Sequence, residues 1–452
     1  MQTKIVCTIG PASKEKKTLK KMIKAGMTVG RINFSHGTHE SNGKILKNIR
    51  RASQDLNKDV AVMTDLQGPR IRIASVKKEL IIKKNQKIFL YENKKPDIEF
   101  KEKVKFLGID SKNLLKYLKK GDSVYIDNGM MELNVVDKKA QGIVCDVVVG
   151  GKILPRKGIN IPQISPKMEA FTKSDKKNLE YALSQNVDLI AMSFVKTQKD
   201  ILNLRKTIKK MLPGVKEEQQ PGIIAKIETS AAVKNFDQIL QAVDGVMIAR
   251  GDLAIEEPME KIPALQKEMI KKCLNYSKPV IVATQMLESM MENPRPTRAE
   301  ITDVANAVID HADAVMLSGE SAMGKYPVET VSTMQKIIQY TEEGPFDDLK
   351  LEETHSQKEA SDLFVAKSAV MLAGEIEAKS IIIKNSPKEI VQKISSFRPQ
   401  TKIYYLTKNS HIAKKLALVW GVSAIDDIEK LKGPYVVIDN IGKGNGQIKY
   451  KI

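Results

Sequence analysis

Cysteine is scarce and apolar residues never run long in this chain of 452 residues. Its three cysteines, Cys7, Cys145 and Cys273, stand far apart, which excludes a disulfide framework or a cysteine metal cluster and leaves them as small buried hydrophobes. No stretch reaches the roughly 20 apolar residues that a membrane-spanning helix needs. The opening residues, MQTKIVCTIG, lead straight into a strand pattern without the apolar core of a signal peptide. A cytoplasmic protein with no membrane partner is therefore expected. The basic runs lack RNA-binding aromatic motifs, so the excess of 74 basic over 54 acidic residues, formally +20, reads as solvated lysine faces and not as a nucleic-acid surface.

What is present describes an ordinary globular chain. Hydrophobic residues at 42% and charged residues at 28% argue against disorder, and the length calls for two or three domains. Short β-rich runs alternate with helix-length amphipathic segments, the pattern of a parallel sheet with crossover helices. Eight runs qualify as strands: KIVCTIG, TVGRINF, VAVMTDL, DLIAMSF, IIAKIE, GVMIAR, PVIVAT and AVMLSG. The fold class is α/β, a (β/α)8 barrel over residues 1–69 and 164–343. Residues 70–163 interrupt it as a β-rich insert with Asn-Gly, Gly-Asp and Gly-Gly turns, expected to be a small all-β barrel or sandwich placed as a lid. Residues 344–452 read as a further open α/β sheet, reached through the polar linker GPFDDLKLEETHSQKEAS.

Polar residues collect where the strands end: Arg31, Asn33 and Ser35; Asp65; Lys226 and Glu228; Arg250 and Asp252; Thr284; Ser318 and Glu320. In a barrel those ends converge on one mouth, where active sites sit. IIAKIET brings Lys226 and Glu228 to the same side of a buried strand, a costly arrangement unless they pair, bind a metal or meet an anion. Asp252, after Gly251 at the next strand-to-helix turn, offers a second carboxylate. Two hard oxygen donors suit Mg²⁺ or Mn²⁺, which usually keeps waters and takes one or two carboxylates. Gly251 allows close backbone approach, and the helix start beside it offers N–H groups to an anion.

In order along the chain, TIGPAS, RINFSHG, AKIET, ARGDLA, ATQMLESM, PRPTRAEITDVANAV and MLSGESAMGKYP resemble the pyruvate kinase family. The resemblance implies transfer of a phosphoryl group from phosphoenolpyruvate to ADP, giving pyruvate and ATP. It implies catalytic roles for Lys226, Arg31 and Thr284, with Thr284 near the carbon that is protonated. By the same resemblance phosphoenolpyruvate meets Lys226, Gly251, Asp252, Thr284, Arg31 and Arg72, and ADP meets Pro11, Arg31, Asn33 and His36. Glu228 and Asp252 are implied as Mg²⁺ ligands, and a homotetramer as the assembly. No Walker-type Gly-rich loop is present, so the ATP site rests on the resemblance.

Two departures qualify the match. Relatives that need K⁺ hold it with side chains equivalent to Asn33, Ser35 and Asp65, but their stretch DTKGPEIR reads DLQGPRIR here, with Leu66 and Arg70 among the changes. A guanidinium at Arg70 could supply the charge that K⁺ otherwise brings, so K⁺-independent activity is expected. The loop that usually cups an effector phosphate reads SPKEI, with Pro387 in place of glycine, which argues against fructose-1,6-bisphosphate activation; Lys384, Ser386, Lys388 and the GKGNG turn remain for another phosphorylated effector. A Mg²⁺-dependent phosphoenolpyruvate- or oxaloacetate-handling lyase is the alternative, and it predicts no nucleotide motif. A basic nucleic-acid-binding protein on the same scaffold would instead show salt-sensitive RNA binding and no turnover.

Overall fold

Eight short strands close on themselves in sequence order: β1 (Lys4–Thr8), β2 (Met27–Asn33), β3 (Ala61–Asp65), β4 (Leu189–Met192), β5 (Gly222–Ile227), β6 (Gly245–Ala249), β7 (Val280–Ala283) and β8 (Ala314–Leu317). All neighbours are parallel, and β1 pairs with both β2 and β8 to complete the barrel. These are the eight runs read from the sequence. The computed structural model describes residues 1–74, 76, 79–100, 103–164, 168–349, 361–429, 431–441 and 446–451.

Burial on both faces explains why the strands look continuously apolar. Along each strand alternate residues face opposite ways. Val6, Val29, Met63, Ala191, Ile224, Met247, Ile281 and Met316 fill the interior, whereas Ile5, Cys7, Val62, Ile190, Ile223 and Ile248 pack outward under the helices. Thr38, Thr172 and Thr297 start three of those helices with reciprocal capping boxes through Ser41, Asp175 and Glu300. Gly30 makes room for a helix packed outside the barrel: a Cβ there would meet the tip of the Ile49 side chain at 2.9 Å, which would have to shift.

The chain leaves the barrel after β3 to build a seven-stranded sheet and a two-stranded one. A bridge between Ile73 and Ile109 joins the two edges of the larger sheet, which curls around its own core of Ile88, Leu90, Leu107, Val124, Leu133 and Ile143. The insert reads as β from the runs IRIASV, QKIFLYE, DSVYIDN, MELNVVD and QGIVCDVVVGGKIL, and two strands of the larger sheet, Val104–Ile109 and Gly158–Asn160, lie outside them. The first is interrupted by Lys105 and Gly108, which break its apolar pattern, and the second is three residues long, too short to alternate.

The C-terminal sheet contains β9 (Ser380–Lys384), β10 (Lys402–Leu406), β11 (Val422–Ile425), β12 (Tyr435–Asp439) and β13 (Gln447–Lys451), ordered 11-10-9-12-13, with only β13 antiparallel. Linker residues 350–360 and residues 442–445 of the GKGNG turn lie outside the described residues. HIAKKLALVWG reads as one helix, but the helix Ser410–Leu416 stops early because Ala417 and Leu418 join the interior cluster of the barrel and plug its floor. Beside this plug the Arg398 guanidinium donates to both Asp313 oxygens, at 3.3 and 2.9 Å, and lies 5.0 Å from the Trp420 ring. Asp313 also accepts the Val280 and Trp420 N–H groups at 3.1 Å, tying β7 and β8 to the C-terminal sheet.

Removing one partner of such a pair leaves a buried charge uncompensated, which costs about 3–5 kcal/mol. Arg398→Met should therefore lower the urea midpoint followed through Trp420, the only tryptophan in the chain. A loss below about 1 kcal/mol, the range of a surface pair, would contradict a buried lock here.

Candidate active site

At the carboxyl ends of β2, β3 and β5 the charged side chains form an alternating row. Arg31 donates through Nε and Nη2 to Asp65 Oδ2 at 2.8 and 2.6 Å, and through Nη1 to Thr8 Oγ1 at 2.7 Å. Lys226 Nζ lies 3.3 Å from the same Asp65 oxygen and 2.7 Å from Glu228 Oε1. All four charged groups are buried, with Glu228 and Asp65 each 1% exposed. Burial alone would drive them toward neutrality. It acts against the charge of Asp65, but Lys226 and Arg31 outweigh it and hold that carboxyl below its ordinary range. Burial likewise acts against Lys226, where Asp65 and Glu228 prevail and raise its pKa.

Glu228 behaves differently. Burial raises its pKa, Lys226 opposes the rise, and the like charge of Asp252 adds to it. Glu228 Oε2 accepts the Phe194 N–H at 2.8 Å, and among the described residues the only side-chain hydrogen bond to Asp252 is a long 3.5 Å one from Asn160 of the insert. Two carboxylates that repel one another, one of them with little else to bind, fit a divalent cation that completes its shell with water or substrate oxygens. Among the described residues no group of three or more His, Cys, Asp or Glu side chains could hold a metal, so these two would have to share it.

Thr284 follows β7 with φ +74° and Gln285 follows with φ +55°. A β-branched residue in the left-handed region stores on the order of 1–3 kcal/mol. The Thr284 hydroxyl accepts the Gly251 N–H at 2.9 Å, which joins the β7 and β6 loops over the carboxylates. That N–H, expected to face an anion directly, is thus shared with Thr284.

The remaining candidates sit on the neighbouring rim. Pro11 lies in the turn after β1, Asn33 ends β2, and Ser35 and His36 follow it; Asn33 Oδ1 is used locally, accepting the Ser35 N–H at 2.9 Å. His36 stands at the surface of this rim, yet partial desolvation of its ring together with Arg70, Arg72 and Arg31 lowers its pKa, so four basic groups converge there. Arg70 lies across the insert strand, where a Cβ on Gly158 would come within 3.1 Å of its guanidinium. Arg72 donates to the Arg156 carbonyl at 3.1 Å. Leu66 is buried, and only its backbone faces the site, accepting from Ser193 Oγ at 2.7 Å.

Ser193 was missed by sequence reasoning. It accepts from Lys226 Nζ at 2.8 Å and reaches Asp65 Oδ1 at 3.2 Å, so it holds the lysine between its two carboxylates. Its signal was available, since it closes DLIAMSF as the other site residues close their strands. Asn160 had no such signal, because only the folding of the insert over the mouth brings it to Asp252. Away from the mouth, Ser386 of the SPKEI loop is buried and turned inward: its Oγ donates to the Lys384 carbonyl at 3.0 Å and accepts the Ile441 N–H at 3.1 Å.

Comparison with known proteins places this geometry. A family model described as pyruvate kinase, barrel domain, matches residues 1–331, and one described as pyruvate kinase, alpha/beta domain, matches residues 364–441. The chain is 40% identical over 428 residues to the pyruvate kinase of Geobacillus stearothermophilus, an alignment covering 93% of this chain and 71% of that one. It is 41% identical over 431 residues to the pyruvate kinase of Thermococcus litoralis, covering 93% and 88%. A crystal structure of a pyruvate kinase from Cryptosporidium parvum matches with a TM-score of 0.88 at 33% identity, over 100% of this chain and 96% of that one.

The row of charges carries a pH signature. The Asp65 pKa is lower folded than unfolded, so its stabilisation is complete above the unfolded value of about 3.9 and is lost as pH falls through the folded value. Asp65→Asn should therefore cost about 3–5 kcal/mol at neutral pH, and the gap from the parent should narrow in acid. A gap that stayed constant down to acid unfolding would show that Asp65 is not held charged by Arg31 and Lys226.

Proposed function

This chain belongs to the pyruvate kinase family, a phosphotransferase acting between phosphoenolpyruvate and ADP, and from that premise we propose how its own residues divide the work. The carrying observation is the row from Arg31 to Glu228, with Lys226 fixed at its centre. Phosphoryl transfer asks chiefly for positioning and for positive charge on the equatorial oxygens of the moving group. Lys226 and Arg31 meet those oxygens, and Arg72 supplies a further phosphate contact from the insert. The enol phosphate P–O bond breaks as a β-phosphate oxygen of ADP bonds to phosphorus, leaving enolpyruvate. A proton must then reach its terminal carbon.

The backbone N–H groups at Gly251 and Asp252 and the Thr284 hydroxyl hold the substrate carboxylate, and Thr284 relays the proton through water, since a hydroxyl is too weak an acid to act alone. Pro11, Arg31, Asn33 and His36 form the ADP side on the loops after β1 and β2. Pyruvate kinases generally depend on Mg²⁺. Glu228 and Asp252 would hold it here, and the cation would supply positive charge to the substrate oxygens. K⁺ is not required in this reading: Arg31, Lys226 and Ser193 already occupy Asp65, Ser35 occupies Asn33, and Arg70 adds a fixed cation nearby.

The assembly we assign is a homotetramer in the cytoplasm. Ile301, Tyr340 and Phe346 are exposed on and beside two helices that pack together, Arg298–Ile309 and Pro327–Glu342, which supports self-association there. Sedimentation as a monomer, or recovery in a membrane fraction, would contradict this assignment. Among the described residues no helix is long and apolar enough to cross a membrane.

A coupled assay for pyruvate from phosphoenolpyruvate and ADP should show turnover that needs Mg²⁺ and is unchanged when K⁺ replaces tetramethylammonium. Strong K⁺ activation would overturn the role given to Arg70. Lys226→Met should lower kcat by about 10²-fold or more while weakening phosphoenolpyruvate binding far less; equal losses would remove Lys226 from the transition state. Thr284→Ala should slow proton exchange at the pyruvate methyl, and unchanged exchange would remove Thr284 from that step.

A further inference from the structure

Arg250 and Glu320, charged side chains at the mouth with no part in the chemistry above, both meet the loop that runs from Thr284 to Leu287. Arg250 opens the helix Arg250–Glu256, immediately before Gly251 and Asp252. Its Nη2 donates to the Thr284 carbonyl at 2.7 Å and the Gln285 carbonyl at 3.4 Å, and lies 2.9 Å from the Met286 sulfur. Asp303, on the helix Arg298–Ile309, accepts the guanidinium through two hydrogen bonds of 2.7 Å, one to each oxygen. From the opposite side the buried Glu320 accepts the Leu287 N–H at 3.2 Å and the Ser318 N–H at 2.7 Å.

The loop needs this restraint. Thr284 and Gln285 are successive left-handed residues, and such a conformation persists only when its surroundings over-determine it. Relaxation to ordinary φ would swing the Thr284 carbonyl and hydroxyl together and break the Gly251 N–H bond to Oγ1. An arginine suits the task because one planar fork grips a carboxylate and still presents an N–H to carbonyls; a lysine offers a single point charge.

We propose that Arg250 and Asp303 are positioning residues for Thr284: Asp303 orients the Arg250 guanidinium, which pins the Thr284 and Gln285 carbonyls and so keeps the Thr284 hydroxyl over Gly251. The catalytic consequence rests on the reading that Thr284 serves the proton step. Because Arg250 adjoins Gly251 and Asp252 in sequence, the clamp also fixes the proposed proton-relay loop relative to the proposed metal carboxylate. Loss of a plain stabilising ion pair would lower the melting temperature and leave the two chemical steps in their original ratio.

The test uses Asp303→Asn in the full chain, with Arg250→Lys as a second variant and Asp303→Glu as the conservative rescue. Asp303→Asn and Arg250→Lys should lower kcat and methyl proton exchange by about 10- to 100-fold, with KM for ADP changed less than about twofold. Asp303→Glu should recover part of both. Amide hydrogen exchange of residues 284–287 should accelerate in both disruptive variants. In a Thr284→Ala background, Asp303→Asn should cost less than about threefold more, since the residue it positions is gone. Full additivity of the two substitutions, or amide exchange that does not change, overturns the clamp. The two readings fail separately: methyl exchange intact in Thr284→Ala removes the proton role of Thr284, while faster amide exchange in Asp303→Asn still supports the clamp itself.

Discussion

Lys226 is buried between Asp65 and Glu228, and the organisation of the mouth depends on keeping it charged there. An ammonium taken out of water loses several kcal/mol of solvation, and its attraction to neighbours repays that only with good geometry and full hydrogen bonding. The barrel meets both conditions by construction. β3, β4 and β5 are adjacent, so their ends deliver Asp65, Ser193 and Glu228 around one nitrogen. Arg31, from β2, then balances the negative charge that Asp65 would otherwise carry in excess. The row contains two cations and two carboxylates, and Asp252 adds a further negative charge beside Glu228. That surplus is what a divalent cation would neutralise, and the basic groups around His36 remain for phosphate.

The two ends of the barrel are stabilised in different ways. At the floor Ala417 and Leu418 close the interior with apolar contact, and Arg398 with Asp313 ties the C-terminal sheet to β7 and β8. Nothing there must move or react, so close packing is free to dominate. At the mouth, strain at Thr284, the basic groups clustered around His36 and the raised pKa of Glu228 all reduce stability locally. Such features survive because the strands beneath them are buried throughout. The usual separation of barrel stability and barrel chemistry therefore holds in this chain.

Most of the barrel was legible in the sequence because strands buried on both faces must be apolar, and the polar residue that ends each run marks its direction. Lys226, Glu228, Asp252 and Thr284 could be picked out for the same reason. The insert was less legible: Val104–Ile109 is interrupted by Lys105 and Gly108, and Gly158–Asn160 is too short for alternation to show. Pairing of strand edges, as in the bridge from Ile73 to Ile109, is set by backbone hydrogen bonds that leave no mark on side-chain pattern. The early end of the helix Ser410–Leu416 was hidden likewise, since Ala417 and Leu418 suit a helix and a barrel plug equally well.

By itself the sequence determined the order of strands, the position of the insert and the residue types at the mouth, because periodicity and charge are properties of the local chain. The tertiary structure alone decided which of those residues meet. Ser193 reaches Lys226 across 33 positions, Asp303 reaches Arg250 across 53 and Asn160 reaches Asp252 across 92. Closure of the barrel brings such distant positions within hydrogen-bond range, and no local pattern records it. Arg70 shows the same limit from the other side. Its identity was plain from DLQGPRIR, but its place across Gly158 and beside His36 follows only from how the insert folds back over the barrel.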